Sequence, residues 1–128
     1  MPEFLFLKEG RRHSQISLGD ILFIQADKKH VAIITAIKCY SSCLSIGDIE
    51  KLLPANLFCR IHRSYIISIK HTDAFDNELA YLGKHKIPIG EQYKNVLKNA
   101  IIVIDVKCDV FTLGNNGVDK LLNNLDRQ

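Results

Sequence analysis

Short apolar runs separated by polar turns make up most of this chain, and most runs have the period of a strand. From Glu3 to Lys8, Phe4 and Phe6 alternate with Leu5 and Leu7 on the opposite side. Glu9-Gly10 is a turn, and Arg11 to Ser17 reads as a polar return strand, which makes a hairpin. After the connector Leu18-Gly19-Asp20, Ile21 to Gln25 is a continuous apolar run, the mark of a central strand buried on both faces. Ala26-Asp27-Lys28-Lys29 breaks it. His30 to Ile37 is β-branched and Ile-rich, so it predicts another strand, with Tyr40 to Leu44 pairing back onto it.

A helix follows. Ser45 can cap it, Asp48 completes a box-like start, Ile46, Ile49, Leu52 and Leu53 share one face, and Pro54 ends it. Phe58 to Ile69 reads as one further strand. The turn dipeptides Asp76-Asn77 and Gly83-Lys84 flank a short strand at Leu79 to Leu82. His85 to Ile89 is the answering strand, and Pro88 marks an edge or a strand end. Glu91 to Asn99 predicts a helix and Ile101 to Ile104 a strand. Gly114-Asn115-Asn116-Gly117 predicts a loop. Val118, Leu121, Leu122 and Leu125, spaced i, i+3, i+4, i+7, predict an amphipathic tail helix. The fold class is therefore mainly β, with many short strands and two or three short helices. No internal repeat or linker divides the chain.

Composition narrows the class. At 128 residues and 47% apolar the chain has material for one core. No run of 18 apolar residues exists to span a membrane, and Met1-Pro2-Glu3-Phe4 does not begin a secretory signal. A cytoplasmic protein is the expectation. Of the four cysteines, Cys39 and Cys43 form C-x3-C, but no second ligand pair follows. Reduced thiols are expected, with no metal and no cofactor.

The net charge is +3, unevenly spread. Between Lys28 and Lys70 seven cations face two anions, Asp48 and Glu50, which gives +5 there and −2 elsewhere. A basic middle suits nucleic acid, although an ordinary solvated surface has the same look. No nucleophile elbow, glycine-rich phosphate loop or H-E-x-x-H motif is present. His62 and Ser64 lack an identifiable acid to orient the imidazole, so no enzyme is expected. Single-strand RNA reading is weakly supported, with ten aromatics, no Trp, and most of the Phe and Tyr in apolar contexts.

The most informative segment is Phe58-Cys59-Arg60-Ile61-His62-Arg63-Ser64-Tyr65-Ile66-Ile67-Ser68-Ile69. It holds cationic side chains on a stiff apolar support. It resembles the central signature of the LytTR (LytR/AlgR-type) DNA-binding domain, F-x-R-x-H-R-S-y-i-v-N, with Ser68 where the family usually has Asn. Leu18 to Ala26 is similar to the family's l-x-D-I-l-y-I-e-a, Ile46 to Leu53 to its s-l-k-e-l-e element, and Ile87 to Lys94 to its i-P-v-S-r-s-y-k. The likeness covers roughly Phe4 to Asn99. It divides the chain into a LytTR-like domain at 1–100 and an extension at 101–128, a strand plus amphipathic helix packed on the same domain.

The resemblance implies an elongated stack of short, mostly antiparallel strands whose loops enter successive major grooves of double-stranded DNA. It also implies promoter repeats, hence a homodimer on half-sites, and control by a receiver domain or sensor, as in bacterial two-component response regulators. Starting at Met1 does not decide between a stand-alone regulator and a fragment.

Three places are then expected at the DNA. The first is His30 with Lys28 and Lys29, the imidazole at a base edge and the lysines at phosphates. The second is Arg63 with His62, Arg60 and Ser64. Arg63 is the expected base reader, suited to guanine O6 and N7, or else pairs with Glu50 or Asp48. Period-2 alternation puts Arg60 and His62 on one side and Arg63 on the other, unless the strand bends near His62. His62 is expected as a packed support, Arg60 as a phosphate contact or structural pair, and Ser64 as a phosphate donor or a local backbone partner. The third place departs from the family: Gly90-Glu91-Gln92 replaces a Ser-Arg-Ser type stretch. Gln92 can pair with adenine and Glu91 can accept from cytosine N4, while Lys94 and Lys98 offset the acid. Glu91 and the tail favour the competing class, a protein-interaction or dimerisation module that kept the scaffold and lost DNA reading.

Overall fold

The computed structural model describes residues 3–106. Its centre is a five-stranded antiparallel sheet of β3 (Ile21–Ala26), β4 (Val31–Thr35), β5 (Cys39–Ser42), β6 (Phe58–His62) and β7 (Tyr65–Ser68), in the order β5-β4-β3-β7-β6. As its apolar run predicts, β3 is the middle strand. Ile21 and Ile24 face one core and Phe23 the other, helped by a register shift between Ile21 and Phe23.

Each face of that sheet carries a layer. On one side lie the hairpin of β1 (Phe4–Glu9) and β2 (Arg12–Ser17) and the helix α1 (Ile46–Leu52). Ile16, Ile46 and Ile49 pack there against Ile24, Phe58 and Ile66. The Ser45 hydroxyl caps α1 by accepting from the Asp48 N–H at 3.1 Å. On the other side lies a three-stranded sheet of β8 (Ala74–Phe75), β9 (Leu79–Leu82) and β10 (His85–Pro88), with α2 (Val96–Ala100). Ala80, Leu82, Ile87 and Leu97 pack against Phe23, Ile61 and Ile67. Pro88, which cannot donate to a ladder, closes the edge strand β10.

Three expectations are corrected. Phe58 to Ile69 is not one strand but the hairpin β6–β7, turning at Arg63-Ser64. Glu91 to Asn99 is not one helix: a 3-10 turn covers Glu91–Tyr93 and α2 starts at Val96. Ile101 to Ile104 is not a strand, and Ile102 and Ile104 are exposed, because no sheet edge is paired with them. The two-residue strand β8 has no counterpart in the sequence reading. The predicted loop at 114–117 and tail helix at Val118 to Leu125 lie outside the described residues.

Candidate nucleic-acid interface

The β3–β4 connection is Asp27-Lys28-Lys29-His30. Asp27 organises it: its Oδ1 accepts from the N–H groups of Lys29 at 3.0 Å and His30 at 2.9 Å, and its own N–H donates to the His30 carbonyl at 2.9 Å. These backbone donors, His30's first and Lys29's second, hold the Asp27 carboxyl below its ordinary range. The side chains of Lys28, Lys29 and His30 are left exposed. No hydrogen bond or ion pair engages any of the three among the described residues.

The β6–β7 connection is built differently. Arg63 and Ser64 both have negative φ, so this is not the primed turn that two-residue hairpins favour. A register shift between Arg60 and His62 absorbs the mismatch. Ile61, at the shift, is fully buried. The shift also separates Arg60 from His62, which simple alternation would place together. Arg60 turns toward α1, and its Nη1 reaches Glu50 Oε1 at 3.0 Å. His62 turns toward Gly90 and lies edge-on to Tyr65 at 5.4 Å between ring centroids.

Arg60 spends its remaining donors on the turn. Its Nη2 donates to the Arg63 carbonyl at 2.7 Å and its Nε to the His62 carbonyl at 3.3 Å. Arg60 is thus held by one carboxylate and two carbonyls. His62 Nδ1 accepts from the Ser64 N–H at 3.0 Å, which leaves the Nε2 position for the ring proton in the neutral form. The Ser64 backbone is engaged on both sides, since its carbonyl also accepts from the Ala26 N–H at 2.8 Å. The Arg63 side chain is exposed and makes no ion pair with Glu50 or Asp48.

The third place joins the second. Gly90 N–H donates to the Ile61 carbonyl at 2.8 Å. His62, Arg63, Gly90, Glu91, Gln92 and Tyr93 line a shallow concavity of about 260 Å³. A Cβ on Gly90 would approach the Tyr93 ring to 3.1 Å, so the family's Ser would press on that ring here. Gln92 and Glu91 are exposed, and Lys94 Nζ lies 3.1 Å from Glu91 Oε2. Lys94 thus pairs with Glu91, while Lys98 reaches Asn77 Oδ1 at 3.4 Å instead.

The Ala26–Ser64 and Ile61–Gly90 backbone bonds bring the three predicted places together along one end of the central sheet. Asp27 and the Arg60–Glu50 pair are the contributors that sequence reasoning missed or misassigned. An Asp opening a four-residue hairpin loop was the available signal for the first. Nothing in the sequence signals that Glu50 takes Arg60 rather than Arg63. Among the described residues no cluster of metal-ligating side chains occurs, and no helix is long and apolar enough to cross a membrane.

The comparisons with known proteins agree with this architecture. The chain is 38% identical over 56 residues to the heme-containing CO-sensing transcriptional regulator RcoM 2 of Paraburkholderia xenovorans, covering 44% of this chain and 21% of that protein. It is 31% identical over 67 residues to the CO-responsive transcriptional regulator RcoM of Rhodospirillum rubrum, covering 52% and 28% respectively. The matched stretch thus spans only about a fifth to a quarter of those relatives. The fold superposes on a LytTr DNA-binding domain from a Bacillus cereus protein with a TM-score of 0.67 at 19% identity, covering 78% of this chain and 97% of that one. The family model of the LytTr DNA-binding domain matches residues 11–102, and the chain belongs to that family.

Proposed function

We propose that this chain is a sequence-specific regulator of transcription whose loops read successive major grooves of a double-stranded promoter repeat. The observation that carries the reading is the pairing of a fixed turn with a free side chain. Arg60 immobilises the turn through two carbonyls, and Arg63 projects from it without an intramolecular partner among the described residues. A fixed turn removes the backbone's ordering cost when the guanidinium meets guanine O6 and N7, leaving only the side chain's own rotamer entropy. His30 and Gln92 flank it as further base readers, and Lys28 and Lys29 meet phosphates. His62, Ser64 and Arg60 support the reading surface rather than touch bases. Glu91, held by Lys94, either accepts from a cytosine or stays clear of the duplex.

The same reading has residues 1–100 as the DNA-binding unit and 101–128 as an extension on it. A homodimer on repeated half-sites and a signal from a receiver or sensor complete the proposal, in line with relatives whose names couple transcriptional regulation to sensing. The test is a titration of duplexes recovered by selection, across salt concentration. A specific site is expected, with log affinity falling by about 0.9 per log salt for each phosphate neutralised. Negligible affinity for every duplex at low salt would overturn the proposal and leave the interaction-module reading.

A further inference from the structure

We propose that a groove between β8 and α2 is the docking site of the chain's own C-terminal segment, residues 118–125, an inference independent of the DNA reading. The groove is an open concavity of about 720 Å³, within the rough 300–1,000 Å³ range of ligand sites. Ile69, Phe75, Leu97 and Ile101 line it, and Asp73, Asp76 and Lys98 stand at its rim. Ile102 and Val103 extend the apolar surface and are 89% and 63% exposed. Ile104 and Val106, further along the chain, are also exposed. A contiguous apolar surface with a charged rim marks a contact site, whereas single exposed apolar side chains do not.

Where the chain goes next identifies the occupant. The groove's own lip, Ile101 to Val103, is the exit of the backbone toward the tail. Residues 107–117 connect that exit to Val118, and eleven residues of chain can reach at most about 40 Å. Gly114-Asn115-Asn116-Gly117 has the residue types of a turn. Beyond it, Val118, Leu121, Leu122 and Leu125 have the spacing of one helical face. Eight residues do not hold a helix by themselves in water, so an apolar stripe at this spacing needs a surface, and the groove offers one. Tethering gives the segment an effective concentration on the order of millimolar, well above that of a second copy at micromolar protein. The occupant is therefore the chain's own tail.

Amide hydrogen exchange on the full chain tests this, with Leu121→Glu/Leu125→Glu as the stripe variant and Ile102→Glu as the groove variant. In the wild type, tail amides at 118–125 should exchange at least about tenfold slower than an unstructured peptide. Either variant should erase that protection, and the stripe variant should speed exchange in segments 72–77 and 97–103, while β3 and β7 stay unchanged. Ile102 is already solvated, so its replacement spares the core. Tail amides that exchange at free-peptide rates in the wild type would overturn the proposal, as would groove segments indifferent to the stripe variant. Light scattering separates the remaining case: a dimer whose tail protection disappears on dilution assigns the groove to a second copy and also overturns it.

Discussion

Arg60 Nη2 donates to the carbonyl oxygen of Arg63 at 2.7 Å, so one arginine of the signature builds the platform from which the other projects. The two residues have the same charge and opposite duties. Arg60 is mostly buried, its side chain 20% exposed, and is neutralised by Glu50. The Arg63 side chain is exposed and has no partner among the described residues. A guanidinium fits the first duty because its planar fork can satisfy a carboxylate and two carbonyls at once.

Arg60→Ala should destabilise the domain by about 1–3 kcal/mol, because the carbonyls of His62 and Arg63 lose a charged donor. Glu50→Gln should cost no more than about 1 kcal/mol, since that half of the pair is solvated. Urea unfolding of the three proteins gives the ranking. Equal losses would mean that the carbonyl contacts contribute little.

Arg63→Ala should leave stability within about 0.5 kcal/mol of wild type, as expected for an exposed side chain without partners. It should also remove about 1–3 kcal/mol of discrimination at one base pair. Unfolding and competition binding measured on the same sample check both halves, and a destabilised variant would point to a structural role.

Asp27 gives the β3–β4 loop a dependence on pH. Its pKa in the folded chain is lowered by the His30 and Lys29 N–H groups, so the loop's stabilisation is present above the unfolded carboxyl value and fades as pH falls through the folded one. The His30 amide resonance should therefore move in acid, at a pH below about 4, and Asp27→Ala should abolish that titration while the β3 and β7 amides stay put.

Cys59 should resist alkylation at neutral pH while Cys39 and Cys43, both exposed, react. Burial, and then the nearby Glu50 carboxylate, push its thiol up to about 11. Because the folded value is raised, the corresponding contribution to stability is intact below the unfolded thiol value of about 8.5 and is lost as pH climbs toward 11. Mass mapping after brief treatment with iodoacetamide distinguishes these three thiols; Cys108 lies outside the described residues.

Much of this fold was legible because β3, β4 and β9 are apolar runs bounded by strong turn signals. The β6–β7 hairpin was not. Its turn, Arg63-Ser64, contains neither Gly nor Asn, and a register shift replaces the usual positive φ. The same shift undid the alternation argument and sent Arg60 and His62 to different layers. Ile101 to Ile104 failed for the converse reason: β-branched residues favour a strand only where a neighbouring strand can pair with them. Within the candidate site, the three segments were readable from the family likeness. The Asp27 turn had its signal in an Asp opening a four-residue hairpin loop, whereas the Glu50–Arg60 pair depends on a contact that a pattern of residues does not contain.

The most direct measurement is base-by-base discrimination by His30→Ala and Arg63→Ala on a duplex recovered by selection, with each position of the site substituted in turn. Two different base pairs should each become tolerant to substitution, one per variant, with affinity elsewhere in the site ranked as for the wild type. If both variants keep the full wild-type preference at every position, these side chains do not read DNA.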